Sequence, residues 1–151
     1  MWDFYLDTLE KIAPARNECC TAIAKFSLSK RFRELRGNLS PDALWSVCQS
    51  EFENWMQQQL SFEMRPETNS NLWPNVLRTN SAAIALAHGQ VDSNELKLRT
   101  LVSRRNDIAH GKKMLIESLQ EYEKYEHAAL LVMHELAISV LEGLENKGYL
   151  K

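Results

Sequence analysis

The sequence has few of the residues that cross-link small proteins or bind metals and nucleotides. It contains three cysteines in 151 residues, of which Cys19 and Cys20 are adjacent and Cys48 stands alone. This pattern excludes a disulfide framework, and without a Cys-x-x-Cys pair there is no zinc-binding spacing of cysteines. Neither GxxxxGK[ST] nor GxGxxG occurs, so no motif indicates nucleotide-driven chemistry. We therefore expect a reducing, cytoplasmic environment, no metal and no cofactor.

Excess charge and long apolar runs are also missing. The net charge of −2 argues against a protein that coats nucleic acid indiscriminately. No uninterrupted apolar run approaches the about 20 residues of a membrane span, and the first residues, MWDFYLDTLEK, lack the basic start and apolar run of a signal peptide. The sequence predicts a soluble protein without a membrane partner.

The small net charge conceals basic segments. Residues 25–36 hold five lysines and arginines against one glutamate, and residues 97–113 hold six against one aspartate. The C-terminal segment that follows is acidic. Two interpretations stay open: the basic residues lie on solvated faces of amphipathic helices, or the two segments together form a basic groove.

Helical spacing of apolar residues dominates the chain, and no alternating Val, Ile or Thr run predicts a sheet. We predict an all-α, up-and-down helical bundle that forms a single domain over residues 1–151. Pro14 should lie in the first turn of a helix. Ser40 should cap another with Pro41 at its first position, and Gly89 should end a third. The last helix should run from about Leu115 to Asn146, longer than one small core requires.

The stretch SRRNDIAHGKK, residues 103–113, falls in a helix that we expect to begin at a capping box of Asp92 and Glu95 and to end at Gly111. One face of this helix carries apolar side chains, with Arg105 in their midst. The apolar residues of the face are Leu98, Leu101, Val102, Ile108 and Ala109. A buried unpaired guanidinium costs several kcal/mol, so Arg105 needs a core carboxylate, a second subunit or an anionic ligand.

A purely structural interpretation also fits this helix. Arg105 would then pair with a glutamate of the last helix, and His110 would be a helix-end residue near the negative end of the helix dipole. The spacing of the residues does not decide between this interpretation and a functional one.

The segment RRNDIAHG resembles the motif of the HEPN superfamily (higher eukaryotes and prokaryotes nucleotide-binding domains). That motif has an arginine, a polar residue directly after it, and a histidine four to six residues from the arginine near a helix end. Arg105, Asn106 and His110 match this order. The resemblance is to the ribonuclease-type branch, including MAE-type HEPN-like nucleases. It departs from the branch with a tyrosine two places after the histidine, because Lys112 occupies that place.

The resemblance implies metal-independent cleavage of RNA. His110 would transfer protons, since imidazole both accepts and donates a proton near neutral pH. Arg105 would hold two phosphate oxygens, and Asn106 would orient the phosphate or the histidine. The neighbouring cations Arg104, Lys112 and Lys113 would bind RNA.

A single motif histidine cannot both remove and supply a proton in one step. The resemblance implies a homodimer around the motif helix, in which two copies of the motif form one composite active site. It also implies a toxin or phage-defence effector, with an antitoxin or defence-system protein as partner. The alternative is a non-catalytic HEPN-like module that binds RNA, a nucleotide or a protein as an antitoxin or regulatory subunit. A third interpretation, that the chain is part of a longer protein, also stays open.

Overall fold

The structure, a computed structural model, describes residues 1–68, 72–113 and 118–151, and the described residues are helical or irregular apart from two isolated β-bridges. The predicted all-α fold with a long C-terminal helix is confirmed. The helices are α1 (Trp2–Ile12), α2 (Thr21–Ser27), α3 (Ser29–Asn38), α4 (Pro41–Gln57), α5 (Pro74–Ala83), α6 (Gly89–Ser93), α7 (Glu95–Ala109) and α8 (Leu119–Glu145).

The chain divides into two compact units, each discontinuous in sequence. The first comprises residues 1–66, 83–85 and 142–151, and the second comprises residues 67–82 and 86–141. The motif helix α7 lies wholly within the second unit. A single domain over residues 1–151 stays a prediction.

The first unit has its core around α1. Tyr5, Leu6 and Leu9 are at most 1% exposed, whereas Ile12 at the end of the helix is half exposed. Burial raises the pKa of Tyr5 to about 12. Gly143, which belongs to the same unit, allows this ring to approach, because a Cβ there would lie 3.2 Å from the Tyr5 hydroxyl. Close packing against an aromatic ring therefore explains a glycine inside a helix.

Arg16 is a buried cation within the first unit. Its guanidinium donates to the Ser27 hydroxyl at 2.9 Å, the Trp55 carbonyl at 3.1 Å and the Ser61 hydroxyl at 2.9 Å. Burial, followed by the positive charge of Arg31, lowers the pKa of Arg16. Hydrogen bonds to three separate chain segments make this arginine a structural link.

Of two predicted helix starts, the one at Ser40 is confirmed and the one at Pro14 is wrong. Ser40 caps α4 as predicted, since its hydroxyl accepts from the Ala43 amide at 3.3 Å and Pro41 follows at the first position. The prediction for Pro14 is wrong. A 3₁₀ turn over Arg16–Glu18 comes next, and α2 begins only at Thr21. The buried bonds of Arg16 fix the chain in this turn, a tertiary constraint that helical spacing does not reveal.

Gly89 begins a helix instead of ending one. Helix α5 ends at Ala83, Ala85 adopts a positive φ of 59°, and Gly89 starts the short helix α6. The amide of Gln90 donates to the Glu135 carboxylate at 2.8 Å, so this helix start is stabilised by a side chain of α8.

Helix α8 has one face packed and another exposed. Ala128, Val132 and Val140 are buried, but Leu119, Met133 and Leu141 are each more than half exposed. The predicted start near Leu115 falls on residues 114–117, which lie outside the described residues. The expectation that no segment is long and apolar enough to span a membrane is wrong for α8.

By length and composition α8 could cross a membrane, with a mean hydropathy of 1.4 over its most apolar 18 residues. Helix α8 contains no long uninterrupted apolar run, because glutamates are spaced among its apolar residues. Core helices of soluble proteins pass the same test but are mostly buried, whereas only 17% of this window is buried; Glu135 of α8 does accept from the Gln90 amide inside the second unit.

Candidate active site

Ion pairs between residues distant in sequence stabilise the start of α7. Asn94 precedes the helix without a side-chain capping bond, so the predicted capping box of Asp92 and Glu95 is wrong. Both carboxylates instead accept from Arg78 of α5, at 2.6 and 3.0 Å. Glu95 also accepts from Arg99 one turn later, at 2.9 and 2.7 Å. The carboxylates are therefore committed to α5 and to the α7 surface, and these contacts lower the pKa of each.

The end of α7 positions the motif histidine. The amide of Gly111 donates to the Ile108 carbonyl and that of Lys112 to the Asp107 carbonyl, both at 2.9 Å. With Gly111 at a φ of +77°, this is a Schellman motif, and the predicted helix end at Gly111 is confirmed. His110 is the last residue before the glycine, and its side chain is exposed.

Arg105 and Asn106 lie in the last turns of α7, and His110 is the C-cap residue directly after the helix. The Arg105 Nη1 donates to the Asn106 side-chain oxygen at 3.3 Å, and the His110 amide donates to the Asn106 carbonyl at 3.0 Å. Arg105 and His110 are exposed and Asn106 is half-buried. Asn106 thus contacts Arg105 through its side chain and His110 through its main chain, while both charge-bearing groups remain accessible to solvent.

The predicted apolar face of α7 is buried only in its first half. Leu98 is 7% exposed, but Ile108 is half exposed and Ala109 is exposed. Arg105 itself is exposed, so the buried part of this face does not extend to it. The apolar side chains beside Arg105 form an open surface instead.

The last helix supplies a carboxylate to Arg104. The guanidinium of Arg104 forms an ion pair with Glu121 and stacks on the ring of Tyr125, 4.8 Å from its centroid. The structural interpretation therefore identified the correct type of contact but the neighbouring arginine. Glu121 and Tyr125 are four residues apart on α8, a spacing that places both on the side facing Arg104.

The remaining predicted RNA-binding residues follow the helix end. Lys112 forms an ion pair with Asp107 at 2.7 Å, and Lys113 is exposed. Lys112 is still largely solvent-accessible, so its charge adds to the positive surface at the end of α7. Among the described residues, no group of three histidines, cysteines or acids is arranged to hold a metal ion.

An open cavity of about 300 Å³ lies between α7 and α8, and sequence analysis did not anticipate it. Leu101 and Arg104 form one wall, and residues of α8 form the other. The α8 residues are Tyr122, Tyr125, Glu126, Ala129 and Leu130. The sequence signal for this cavity was the spacing of Tyr122 and Tyr125, seven and four residues before Ala129. That spacing suits core packing equally well, so it did not predict a cavity.

A family model described as HEPN_MAE_28990/-like HEPN matches residues 1–149. The chain belongs to this HEPN family. The match extends over both compact units and includes the whole of α7, so it does not depend on the short motif alone. No curated protein and no solved structure matches the sequence. Membership of the HEPN family indicates a nuclease or a nucleotide-binding module.

Proposed function

We propose that this HEPN protein is a metal-independent endoribonuclease that cleaves RNA by attack of the 2′-hydroxyl on the adjacent phosphorus. The observation that carries the proposal is the accessibility of the motif. Arg105 near the end of α7 and His110 at its C-cap are both exposed, and Asn106 contacts Arg105 through its side chain and His110 through its main chain.

The chemistry needs only the side chains of the motif. As the 2′-oxygen bonds to phosphorus, its proton passes to an imidazole, and the bond from phosphorus to the 5′-oxygen breaks while that oxygen receives a proton. Arg105 stabilises the additional negative charge on the phosphate oxygens. Asn106, which accepts from Arg105, holds the guanidinium in position. The products are a 2′,3′-cyclic phosphate and a 5′-hydroxyl.

A two-fold homodimer supplies the second imidazole. The half-exposed Ile108 and the exposed Ala109 lie beside Arg105, where a second α7 would cover apolar surface and bring a second His110 to the same cleft. RNA binding draws on Arg104, Lys112 and Lys113 around the cleft. The proposed biological role is that of a toxin or phage-defence effector, restrained by an antitoxin or another protein of the defence system.

The test is RNA cleavage by purified wild-type and His110→Ala protein in excess EDTA, with both structured and single-stranded RNA. We expect cleavage by the wild type alone, and end-group analysis should show 2′,3′-cyclic phosphates. His127→Ala is the matched control, because His127 is an exposed histidine of α8 outside the motif. This control should cleave as the wild type does.

Two results would contradict the proposal. One is cleavage by His110→Ala at the wild-type rate. The other is the lack of cleavage across a broad set of RNAs by folded, dimeric wild-type protein, which would favour a non-catalytic HEPN module that binds RNA or a regulatory partner.

A further inference from the structure

The cavity between α7 and α8 combines features of a nucleobase-binding site. Its volume of about 300 Å³ is at the lower end of the roughly 300–1,000 Å³ range of ligand pockets, a size for one ring system. Leu101, Ala129 and Leu130 provide apolar surface, and the ring of Tyr122 is 46% exposed. A planar base could stack on this ring and displace water from the apolar wall.

The polar groups of the cavity restrict which base fits. Arg104 is already neutralised by Glu121 and stacked on Tyr125. Glu126 is exposed, and its Oε1 accepts a hydrogen bond from the Tyr122 hydroxyl at 3.1 Å. A carboxylate near a polyanion is unfavourable unless it accepts hydrogen bonds from the ligand. Guanine is the base that offers two adjacent N–H donors on its Watson–Crick edge, which match the two oxygens of a carboxylate.

The cavity also lies close to the motif. Arg104 directly precedes Arg105, and Leu101 lies one turn earlier, about 6 Å along the helix axis. A base in the cavity would belong to a nucleotide near the phosphate that Arg105 binds. We propose that this cavity is a guanine-binding subsite, in which Tyr122 stacks on the base and Glu126 accepts from its amino and imino groups. This inference rests on the proposed ribonuclease function.

Binding can be measured separately from cleavage with the His110→Ala protein. The probes are fluorescently labelled uridine octamers that carry G, A, C or U at one central position, compared by anisotropy at fixed salt. We expect the G-containing octamer to bind about tenfold more tightly than the other three. Glu126→Gln should abolish this preference, and Tyr122→Ala should weaken binding of the G-containing octamer by about tenfold.

Tyr122→Phe is the matched control for the ring. It removes the bond to Glu126 but keeps the stacking surface, so it should preserve the preference for guanine. Equal binding of the four octamers, or a preference that persists in Glu126→Gln, would overturn the subsite. Light scattering of Tyr122→Ala tests whether the cavity is a protein interface. A monomeric variant with an unchanged base preference would show that it is, and would overturn the subsite.

The same octamers separate the two proposals when incubated with wild-type protein. Cleavage without any preference for guanine would overturn the subsite and leave the ribonuclease intact. Guanine-selective binding without cleavage of any octamer would support the subsite and overturn the ribonuclease.

Discussion

At the residue scale, two adjacent arginines have different environments. Arg104 is partly buried between Glu121 and Tyr125, whereas Arg105 is exposed beside Asn106. A partly buried ion pair with a stacked ring contributes to folding, and an exposed guanidinium near an imidazole is suited to bind phosphate. The two substitutions to alanine should therefore affect different properties.

We expect Arg105→Ala to reduce the rate of RNA cleavage by about 100-fold or more and to change the free energy of unfolding by less than about 0.5 kcal/mol. Arg104→Ala should lower the free energy of unfolding by about 1–2 kcal/mol, because it removes the contacts with Glu121 and Tyr125. Urea denaturation and single-turnover cleavage measure the two effects. Arg105→Lys serves as the control for charge, and it should remain impaired because an ammonium cannot bind two phosphate oxygens in the same geometry.

The opposite pattern would reassign the two arginines. If Arg105→Ala destabilised the fold and Arg104→Ala abolished cleavage of folded protein, the motif arginine would be Arg104. The sequence alone favoured Arg105 because Asn106 follows it directly, and this choice stays a prediction.

At the element scale, the contacts of Arg78 connect α5 with the segment that begins α7. Its bonds to Asp92 and Glu95, together with those of Arg99 and His88, hold the two carboxylates in their charged form. The pKa of each carboxyl is lowered, with Arg78 the largest cause for Asp92 and Arg99 the largest for Glu95. A lowered pKa in the folded state means that the stabilisation is present above the ordinary carboxyl range.

We expect this stabilisation to be lost as the pH falls below about 4, through the lowered pKa values of the folded state. Arg78→Ala should make the urea midpoint less dependent on pH between about 5 and 2. Since these side chains are between about one-third and one-half exposed, the effect should also diminish at high salt. An identical acid slope for wild type and Arg78→Ala would show that the cluster does not contribute to stability.

The local patterns that predicted elements correctly involve neighbouring residues. Ser40 with Pro41 and the glycine at position 111 act within one helix turn, so their effect is visible in the sequence. Asp92 and Glu95 had the spacing of a capping box, but Arg78, 14 and 17 residues away, takes both carboxylates. Contacts between distant segments override local rules, and a single sequence does not show which segments meet.

The candidate site follows the same principle. Residue order was sufficient to select Arg105, Asn106 and His110, because they are consecutive or one turn apart on a single helix. The cavity beside them requires two helices, and its existence depends on how α7 packs against α8. The spacing of Ile108 placed it on the apolar stripe, but the stripe did not indicate whether this chain or a second copy covers that residue.

At the scale of the whole molecule, the proposed dimer should depend on the apolar surface beside the motif. Ile108→Asp should convert the dimer to a monomer, because it places a charge where the second copy would pack. Light scattering measures the mass, and cleavage should be lost in the same variant. Leu96→Asp is the matched control: Leu96 is 78% exposed on α7, on the side of the helix opposite Arg105.

The control should remain dimeric and active. A dimer that tolerates Ile108→Asp would place the interface elsewhere on the molecule, and a wild-type monomer that cleaves RNA would remove the need for a second imidazole.

The position of the motif histidine depends on the backbone conformation of Gly111, which L-residues rarely adopt. Gly111 has a φ of +77°, and among the described residues no atom lies within 4 Å of the position that a Cβ would occupy. An L-alanine there would be strained by its handedness, whatever the space around the methyl group. A D-alanine, introduced by chemical synthesis, would favour this backbone conformation instead. The direction in which the chain leaves His110 is therefore specified by glycine, the one standard residue type that is achiral.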